Sequence, residues 1–151
     1  MFIEIEGFLH PNLCNYLINF FENNKDQATT YNWRNLIKLN ENTNDPVIES
    51  VIKPKYQKIH PKAFLSNIEI VKWPVGEYHD WHDDTAHYDS TSITYLNDEY
   101  EGGKTQIEDY IVDPKTGKIV LFDSSKQHRV SPLETNVRYV LAVWYNKKNK
   151  T

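Results

Sequence analysis

The feature that most constrains the fold is a series of short apolar segments in the second half of the chain. From about residue 63 onward they recur every 8 to 15 residues, with turn signals between them. The predicted strands are 68–71, 91–96, 105–107, 111–112, 119–122, 127–130 and 137–145. Short strands at this spacing are typical of an all-β sandwich or jelly roll. The last segment is apolar on both faces, which predicts a strand between a second sheet and a layer of helices.

The N-terminal part of the chain predicts helices and short strands. Residues 2–5 and 33–39 predict strands, whereas residues 25–32 look like a polar loop. Apolar side chains at spacings of three and four predict an amphipathic helix over residues 11–24. Asn44-Asp45-Pro46 is a helix start. Proline cannot continue the helical hydrogen bonding, so Pro54 should end or kink this second helix.

We therefore expect a single domain over residues 1–151, since about 150 residues is an ordinary domain length. The predicted fold is mainly β with flanking α: a double-stranded β-helix (jelly roll, cupin-like) with N-terminal helices packed on one sheet. Residues 1–62 would form the helical support, and residues 63–146 the β core with the functional site.

Composition excludes several classes of protein. The net charge is −4, which provides no field for sequence-independent binding to nucleic acid. No apolar run approaches the roughly 18 residues of a membrane span, and the N-terminus does not resemble a signal peptide. Cys14 is the only cysteine, so no internal disulfide can form, and we expect its side chain to be a small buried apolar group. We expect a cytoplasmic monomer or homodimer that binds neither nucleic acid nor membrane.

A polar stretch in the β half suggests a metal site. His82 and Asp84 are two residues apart, and in a strand such residues point to the same face. A third ligand must come from elsewhere, and His128 begins a later predicted strand. Two histidines and one carboxylate form the facial triad that binds non-haem Fe(II) and leaves positions open.

The polar residues near His82 are rival candidates for the site, and the whole stretch could also be an ordinary solvated loop. Strand alternation predicts that His79 and Asp83 lie on the opposite face from His82, whereas Asp80 shares its face. An isolated His-x-Asp sequence is more often a solvated loop than a metal site. The other three histidines look like ordinary loop residues: His10, His60 and His87.

Arg138, at the start of the last predicted strand, strengthens the metal hypothesis. On an inward-facing strand its charge would be buried without a partner, which is costly. The planar guanidinium is suited to binding a carboxylate through two hydrogen bonds. A ligand carboxylate would therefore resolve the burial of this charge.

An ordered set of motifs from about residue 71 to 145 resembles one enzyme family. The motifs are Trp73-Pro74-x-Gly76, His82-x-Asp84, Ile93-Thr94-Tyr95-Leu96-Asn97-Asp98, Glu101-Gly102-Gly103-x-Thr105, Pro114-x-x-Gly117-x-Ile119-Val120-Leu121-Phe122, His128-Arg129-Val130-Ser131-Pro132 and Arg138-Tyr139-x-Leu141-x-Val143-Trp144. Together they resemble the Fe(II)/2-oxoglutarate-dependent dioxygenases, specifically the prolyl 4-hydroxylase-like branch.

The resemblance implies roles for individual residues. His82, Asp84 and His128 correspond to the iron ligands, and with Arg138 they form the implied catalytic set. Arg138 corresponds to the residue that binds the distal carboxylate of 2-oxoglutarate. Two further residues are implied at the cofactor: Tyr95, whose hydroxyl joins that contact, and Trp144, which packs beside it. Trp73 is a departure, because the branch commonly has a tyrosine there.

The implied activity is hydroxylation of an unactivated C–H bond, with Fe(II), 2-oxoglutarate and O2 as cofactors and ascorbate as a candidate reductant. Halogenating relatives lack the carboxylate, so Asp84 favours hydroxylation. The expected substrate is a prolyl residue in a peptide or protein, with Trp81, Tyr88 and Tyr100 as candidates to stack on proline rings. The alternatives are a free amino acid or small metabolite, or a non-enzymatic cupin-like metal-binding module. Related nucleic-acid demethylases have a second arginine at the position of Trp144, which argues against that activity.

Overall fold

Antiparallel pairing dominates the structure, a computed structural model that describes residues 1–148. The helices are α1 (Pro11–Asn23) and α2 (Lys53–Ile59), with a 3-10 turn at Lys25–Gln27 and a π-type turn at Ile48–Ile52. The strands are β1 (Phe2–Ile5), β2 (Thr29–Tyr31), β3 (Arg34–Lys38), β4 (Ala63–Trp73), β5 (His79–His82), β6 (Ser90–Tyr95), β7 (Thr105–Ile107), β8 (Tyr110–Ile111), β9 (Ile119–Asp123), β10 (His128–Val130) and β11 (Arg138–Lys147).

The strands form two sheets that face each other. The seven-stranded sheet has the order β1-β9-β6-β11-β4-β3-β2, and the four-stranded sheet has the order β5-β10-β7-β8. The central strand, β11, pairs with β4 on one side and with β6 on the other. The prediction of a mainly β fold with helices on one sheet is confirmed.

Two apolar cores lie on opposite faces of the large sheet. The outer core packs α1 and α2 against the sheet and includes Leu17, Phe21, Tyr56 and Leu141. The inner core fills the space between the sheets. Because successive residues of a strand point to opposite faces, β11 contributes to both cores, as its two-sided apolar pattern predicts. Cys14 is fully buried in the outer core, and burial raises the pKa of its thiol to about 11.

The second helix begins as predicted but continues past the proline that was predicted to end or kink it. Asp45 Oδ1 accepts hydrogen bonds from the backbone N–H groups of Val47 and Ile48, so the helix begins as expected. However, Pro54 does not end it, and the chain stays helical to Ile59. The π-type turn precedes Pro54, and its wider spacing accommodates a residue that cannot donate a backbone hydrogen bond.

The first 62 residues also contribute more than helical support. They supply β1, β2 and β3 to the large sheet, two of which were predicted. The three residues of β2 lie in the predicted polar loop, since they are exposed and have no apolar alternation. No helix within residues 1–148 is long and apolar enough to span a bilayer.

Candidate active site

Three of the predicted site residues lie together at one end of the space between the sheets. The candidate ligand atoms of His82, Asp84 and His128 all lie within 4.8 Å of one another. His82 ends β5 and His128 begins the neighbouring β10, where the two residues are register partners. Asp84 follows β5, and its backbone N–H donates to Ser124 O at 2.9 Å. The carboxylate therefore reaches the histidines from a loop rather than from the strand predicted for it.

Backbone contacts determine which nitrogen each histidine presents. Nδ1 of His82 lies 2.6 Å from Asp80 O, and Nδ1 of His128 lies 2.8 Å from Lys126 O. A carbonyl oxygen can only accept, so each Nδ1 carries the proton. In the neutral imidazole, Nε2 is then the nitrogen that keeps a lone pair, which is the arrangement that metal-binding histidines use.

The carboxylate of Asp84 is held at Oδ2. Oδ2 accepts hydrogen bonds from Thr91 Oγ1 at 2.8 Å and Trp144 Nε1 at 3.1 Å, and lies 3.3 Å from His128 Nε2. Oδ1 lies 3.8 Å from His82 Nε2. Burial alone would raise the pKa of Asp84, but the neighbouring His128, together with the donors Thr91 and Trp144, outweighs it and lowers the pKa to about 2. Asp84 is therefore an anion throughout the neutral range.

A β-bulge corrects the prediction that His79 and His82 lie on opposite faces. His128 pairs with His82 while Val130 pairs with His79, so three steps along β5 match two along β10. The extra residue reverses the alternation. The two rings stack with centroids 3.5 Å apart, and His79 lines the cavity beside the triad. Burial, reinforced by the neighbouring His82, lowers the pKa of His79 to about 3.

The triad opens into a cavity of about 170 Å³ between the sheets. One wall is the inner face of the large sheet, where register places side chains of β3, β4, β11 and β6 in rows. Apolar residues form its centre: Leu36, Val71, Ile93, Val140 and Ala142. Asp80, which strand alternation placed near the site, is exposed and does not line it.

Arg138 lies in this wall with its charge unneutralised by protein. The residue is 1% exposed, and its Nη2 donates to Thr105 Oγ1 at 2.9 Å. Its Nε and Nη1 are buried without a hydrogen-bond partner, and no carboxylate within residues 1–148 is close enough to form an ion pair. A buried, unpaired guanidinium is costly, so this position is suited to a ligand carboxylate.

The two glycines of the Glu101-Gly102-Gly103 turn leave space beside Arg138. Gly103 has a φ of +56°, and an added Cβ would lie 3.1 Å from Arg138 Cδ. Gly102 has a φ of +70°, and an added Cβ would lie 2.2 Å from Pro132 O. Positive φ and this proximity both favour glycine. The turn can therefore pack directly behind the guanidinium.

Three aromatic residues have environments that the sequence did not specify. Tyr95 is fully buried, its hydroxyl finds no hydrogen-bond partner in the described part of the chain, and burial raises its pKa. Its ring centroid lies 5.7 Å from Arg138 Cζ. Trp144, expected beside the cofactor, lines the cavity but directs its indole N–H to Asp84. Trp73 lies between two guanidiniums, with Cζ of Arg34 at 4.6 Å and of Arg138 at 4.7 Å.

Sequence reasoning assigned no site role to Arg34 or Glu69, which both line the cavity. Arg34 is 5% exposed; its Nε lies 3.4 Å from Glu77 Oε2, and its Nη1 lies 3.0 Å from His79 Nδ1. The sequence contains only weak signals for a site role of these two residues. Arg34 is one of three arginines, and Glu69 is a single charge inside an apolar strand.

The sequence family agrees with this geometry. Residues 68–146, just over half of the chain, match the model of the 2OG-Fe(II) oxygenase superfamily. The chain belongs to that superfamily, and the prolyl hydroxylase-like resemblance is confirmed. Membership implies Fe(II), 2-oxoglutarate and O2 as cofactors.

Individual proteins and solved structures are also similar to this chain. A PKHD-type hydroxylase of Synechococcus sp. (strain CC9605) is 30% identical over 114 residues, which are 68% of this chain and 48% of the relative. This chain thus spans about half the length of that protein. Two solved structures share the fold. One is a viral collagen prolyl hydroxylase from Paramecium bursaria Chlorella virus-1, with a TM-score of 0.74, 17% identity and 98% and 96% of the two chains covered. The other is a prolyl-4-hydroxylase of Pseudomonas putida, with a TM-score of 0.76, 16% identity and 98% and 93% covered.

The residues present fit these cofactors. Two imidazole nitrogens and a carboxylate oxygen are a suitable donor set for Fe(II). The unpaired guanidinium of Arg138 in the same cavity is suitable for a carboxylate.

Proposed function

We propose that this chain is an Fe(II)- and 2-oxoglutarate-dependent dioxygenase that hydroxylates a prolyl residue in a peptide or protein. One observation carries the oxygenase part of the proposal. A single cavity contains both the His82–Asp84–His128 cluster and the buried, unpaired guanidinium of Arg138. A site that only stored a metal would have no use for that second group.

Each residue has a defined task in this proposal. His82, Asp84 and His128 hold the metal on one side, and Thr91 and Trp144 keep the carboxylate oriented. Arg138 binds the distal carboxylate of 2-oxoglutarate, with Tyr95 beside it. When bound, the metal and 2-oxoglutarate would supply the oxidising chemistry: one oxygen atom of O2 would go to the succinate formed with CO2 and the other to the hydroxylated C–H bond. The apolar wall of Val71, Val140 and Ala142 excludes water from the reacting groups.

The surface near the cavity supports an extended substrate. Three exposed aromatic residues line the cavity or are close in sequence to residues that line it: Tyr31, Trp33 and Tyr78, which are exposed by 60%, 76% and 55%. Of these, Tyr31 lines the cavity itself. Proline-rich chains are already extended before binding, and aromatic grooves recognise them. None of the three stacking candidates from the sequence faces the cavity freely: Trp81 contacts the Arg129 guanidinium outside it, Tyr88 stacks on Trp144, and the Tyr100 hydroxyl is buried.

The test is a coupled turnover assay. The protein is incubated with Fe(II), ascorbate and 2-oxoglutarate, together with a proline-rich peptide library or free L-proline. Mass spectrometry should detect one added oxygen on a peptidyl proline, in a fixed ratio to succinate, and Asp84→Ala should abolish both products. Succinate coupled to free proline alone would overturn the prolyl-peptide assignment and leave an amino-acid hydroxylase.

A further inference from the structure

Glu69 is a buried carboxyl group on the cavity wall. It lies in the middle of β4, on the face that also carries Val71 and Trp73, and it lines the cavity. The residue is 8% exposed. Its register partners are Ala142 on β11 and Lys38 at the end of β3. Glu69 therefore lies where the inner face of the sheet meets the cavity.

The protein supplies almost no partner for this carboxyl group. Among residues 1–148 it accepts a single hydrogen bond, from Asn67 Nδ2 at 3.4 Å, and no cation, Lys38 included, lies within 4.0 Å. Burial accordingly raises the pKa of Glu69. A buried carboxyl without donors costs stability. Such a group in a cavity is a candidate for a functional contact.

The charges in the cavity with Fe(II) and 2-oxoglutarate bound show which charge would remain unpaired. Fe(II) and the Arg138 guanidinium contribute three positive charges, whereas Asp84 and the two carboxylates of 2-oxoglutarate contribute three negative charges. Arg34 is compensated by Glu77, with which it forms a buried ion pair. Among the described residues that line the cavity, Glu69 is then the acidic group without a paired cation, since Lys38 and Arg34 act on it only from beyond ion-pair distance.

Glu69 lines the same cavity as the triad, so a substrate bound there can contact it. Its register partner Ala142 is two residues from Trp144, whose indole donates to Asp84. Strand spacings put the Cα atoms of Glu69 and Trp144 about 8 Å apart. A side chain on the substrate can span a gap of this size.

We propose that Glu69 is a specificity-determining residue that binds a cationic nitrogen group of the substrate, an ammonium or a guanidinium. The inference rests on the proposed hydroxylase function, and it narrows the substrate class. A prolyl peptide hydroxylated here carries a lysine, an arginine or a free amino terminus close to the target residue. Pairing with that cation compensates the buried carboxylate, and a neutral substrate leaves it unpaired.

The experiment measures binding without turnover. Capped proline-containing peptides, each with lysine at one position near the proline, are compared with matched peptides that have norleucine there. Calorimetric titrations are carried out anaerobically with Fe(II) and 2-oxoglutarate present. At one or more positions, the wild-type protein should bind the lysine peptide about tenfold more tightly. Glu69→Gln should remove most of this preference and leave the affinity for the norleucine peptide unchanged.

A matched control separates local from general charge effects. Glu22→Gln removes the same charge from α1, where Glu22 pairs with Lys72. This variant should keep the preference for lysine. An equal affinity of the wild-type protein for both peptides of every pair would overturn the inference, as would a preference that persists in Glu69→Gln. Turnover of the same peptides is measured separately: a binding preference without hydroxylated proline would contradict the proposed function but not the role of Glu69.

Discussion

The carboxylate of Asp84 meets groups from four different strands. Thr91 on β6 and Trp144 on β11 donate to it, and the histidines of β5 and β10 lie on its other side. A group held from several directions has little freedom to rotate. Such preorganisation lets a metal bind without a large cost in ordering its ligands.

The first prediction at this scale concerns Arg138. Arg138→Lys keeps the charge but loses the planar pair of donors, so the affinity for 2-oxoglutarate should fall by about 1–3 kcal/mol. Anaerobic calorimetry with Fe(II) present measures this change. Arg129→Lys is the matched control, because Arg129 contacts Gln106 and Trp81 outside the cavity. Unchanged affinity in Arg138→Lys would place the carboxylate contact elsewhere.

The second prediction concerns the Tyr95 hydroxyl. Tyr95→Phe removes one neutral donor, so its effect on 2-oxoglutarate affinity should be smaller, about 1 kcal/mol or less. The hydroxyl has no hydrogen-bond partner among residues 1–148, so its removal should not reduce the free energy of unfolding without ligand. Calorimetry and urea denaturation measure the two effects. A loss larger than that of Arg138→Lys would contradict this ranking.

The third prediction concerns the pH dependence of stability at Glu69. Its pKa in the folded state is raised by burial, so the unfolded state loses this proton first as the pH rises. The contribution of the protonated Glu69 carboxyl group to stability is therefore complete below the ordinary glutamate pKa, and it is lost as the pH rises through the folded-state pKa. Glu69→Gln should be more stable than wild type at pH 7.5, and the advantage should shrink at pH 4. Urea denaturation at both values tests this, and an advantage independent of pH would refute it.

At the scale of single elements, local pattern predicts some features and misses others. The helix over residues 11–24 and the two-sided strand over 137–145 were predictable because their periodicities are long and regular. The bulge in β5 was not, because it depends on how that strand pairs with β10. One extra residue therefore moved His79 to the face of His82, against the simple alternation rule.

The fourth prediction concerns α1. Leu17 is fully buried between the helix and the large sheet, so Leu17→Ala should reduce the free energy of unfolding by about 2–5 kcal/mol. Asn15→Ala, on the exposed side of the same helix, should change it by about 0.5 kcal/mol or less. Urea denaturation measures both. Similar small effects in the two variants would mean that α1 does not stabilise the sheet.

At the scale of the whole molecule, the two faces of the large sheet have different roles. Its outer face packs on the helices and is apolar, whereas its inner face carries the row Arg34–Trp73–Arg138 and the acid Glu69. The triad residues could be named from the sequence because the ordered motifs carry them. Arg34 and Glu69 could not, because their importance depends on strand register and on which buried charges find partners.

The central claim is that one site binds Fe(II) and 2-oxoglutarate together through His82, Asp84 and His128. Anaerobic titration with Fe(II) in the presence of 2-oxoglutarate tests it most directly, through the weak visible absorption of the metal–cofactor complex. The wild-type protein should develop this band and saturate at a single Fe(II) per chain. Asp83→Ala, which alters the exposed neighbouring carboxylate, should behave in the same way. Asp84→Ala should show no band, because two imidazoles alone do not complete the site; a band of equal strength in that variant would contradict the claim.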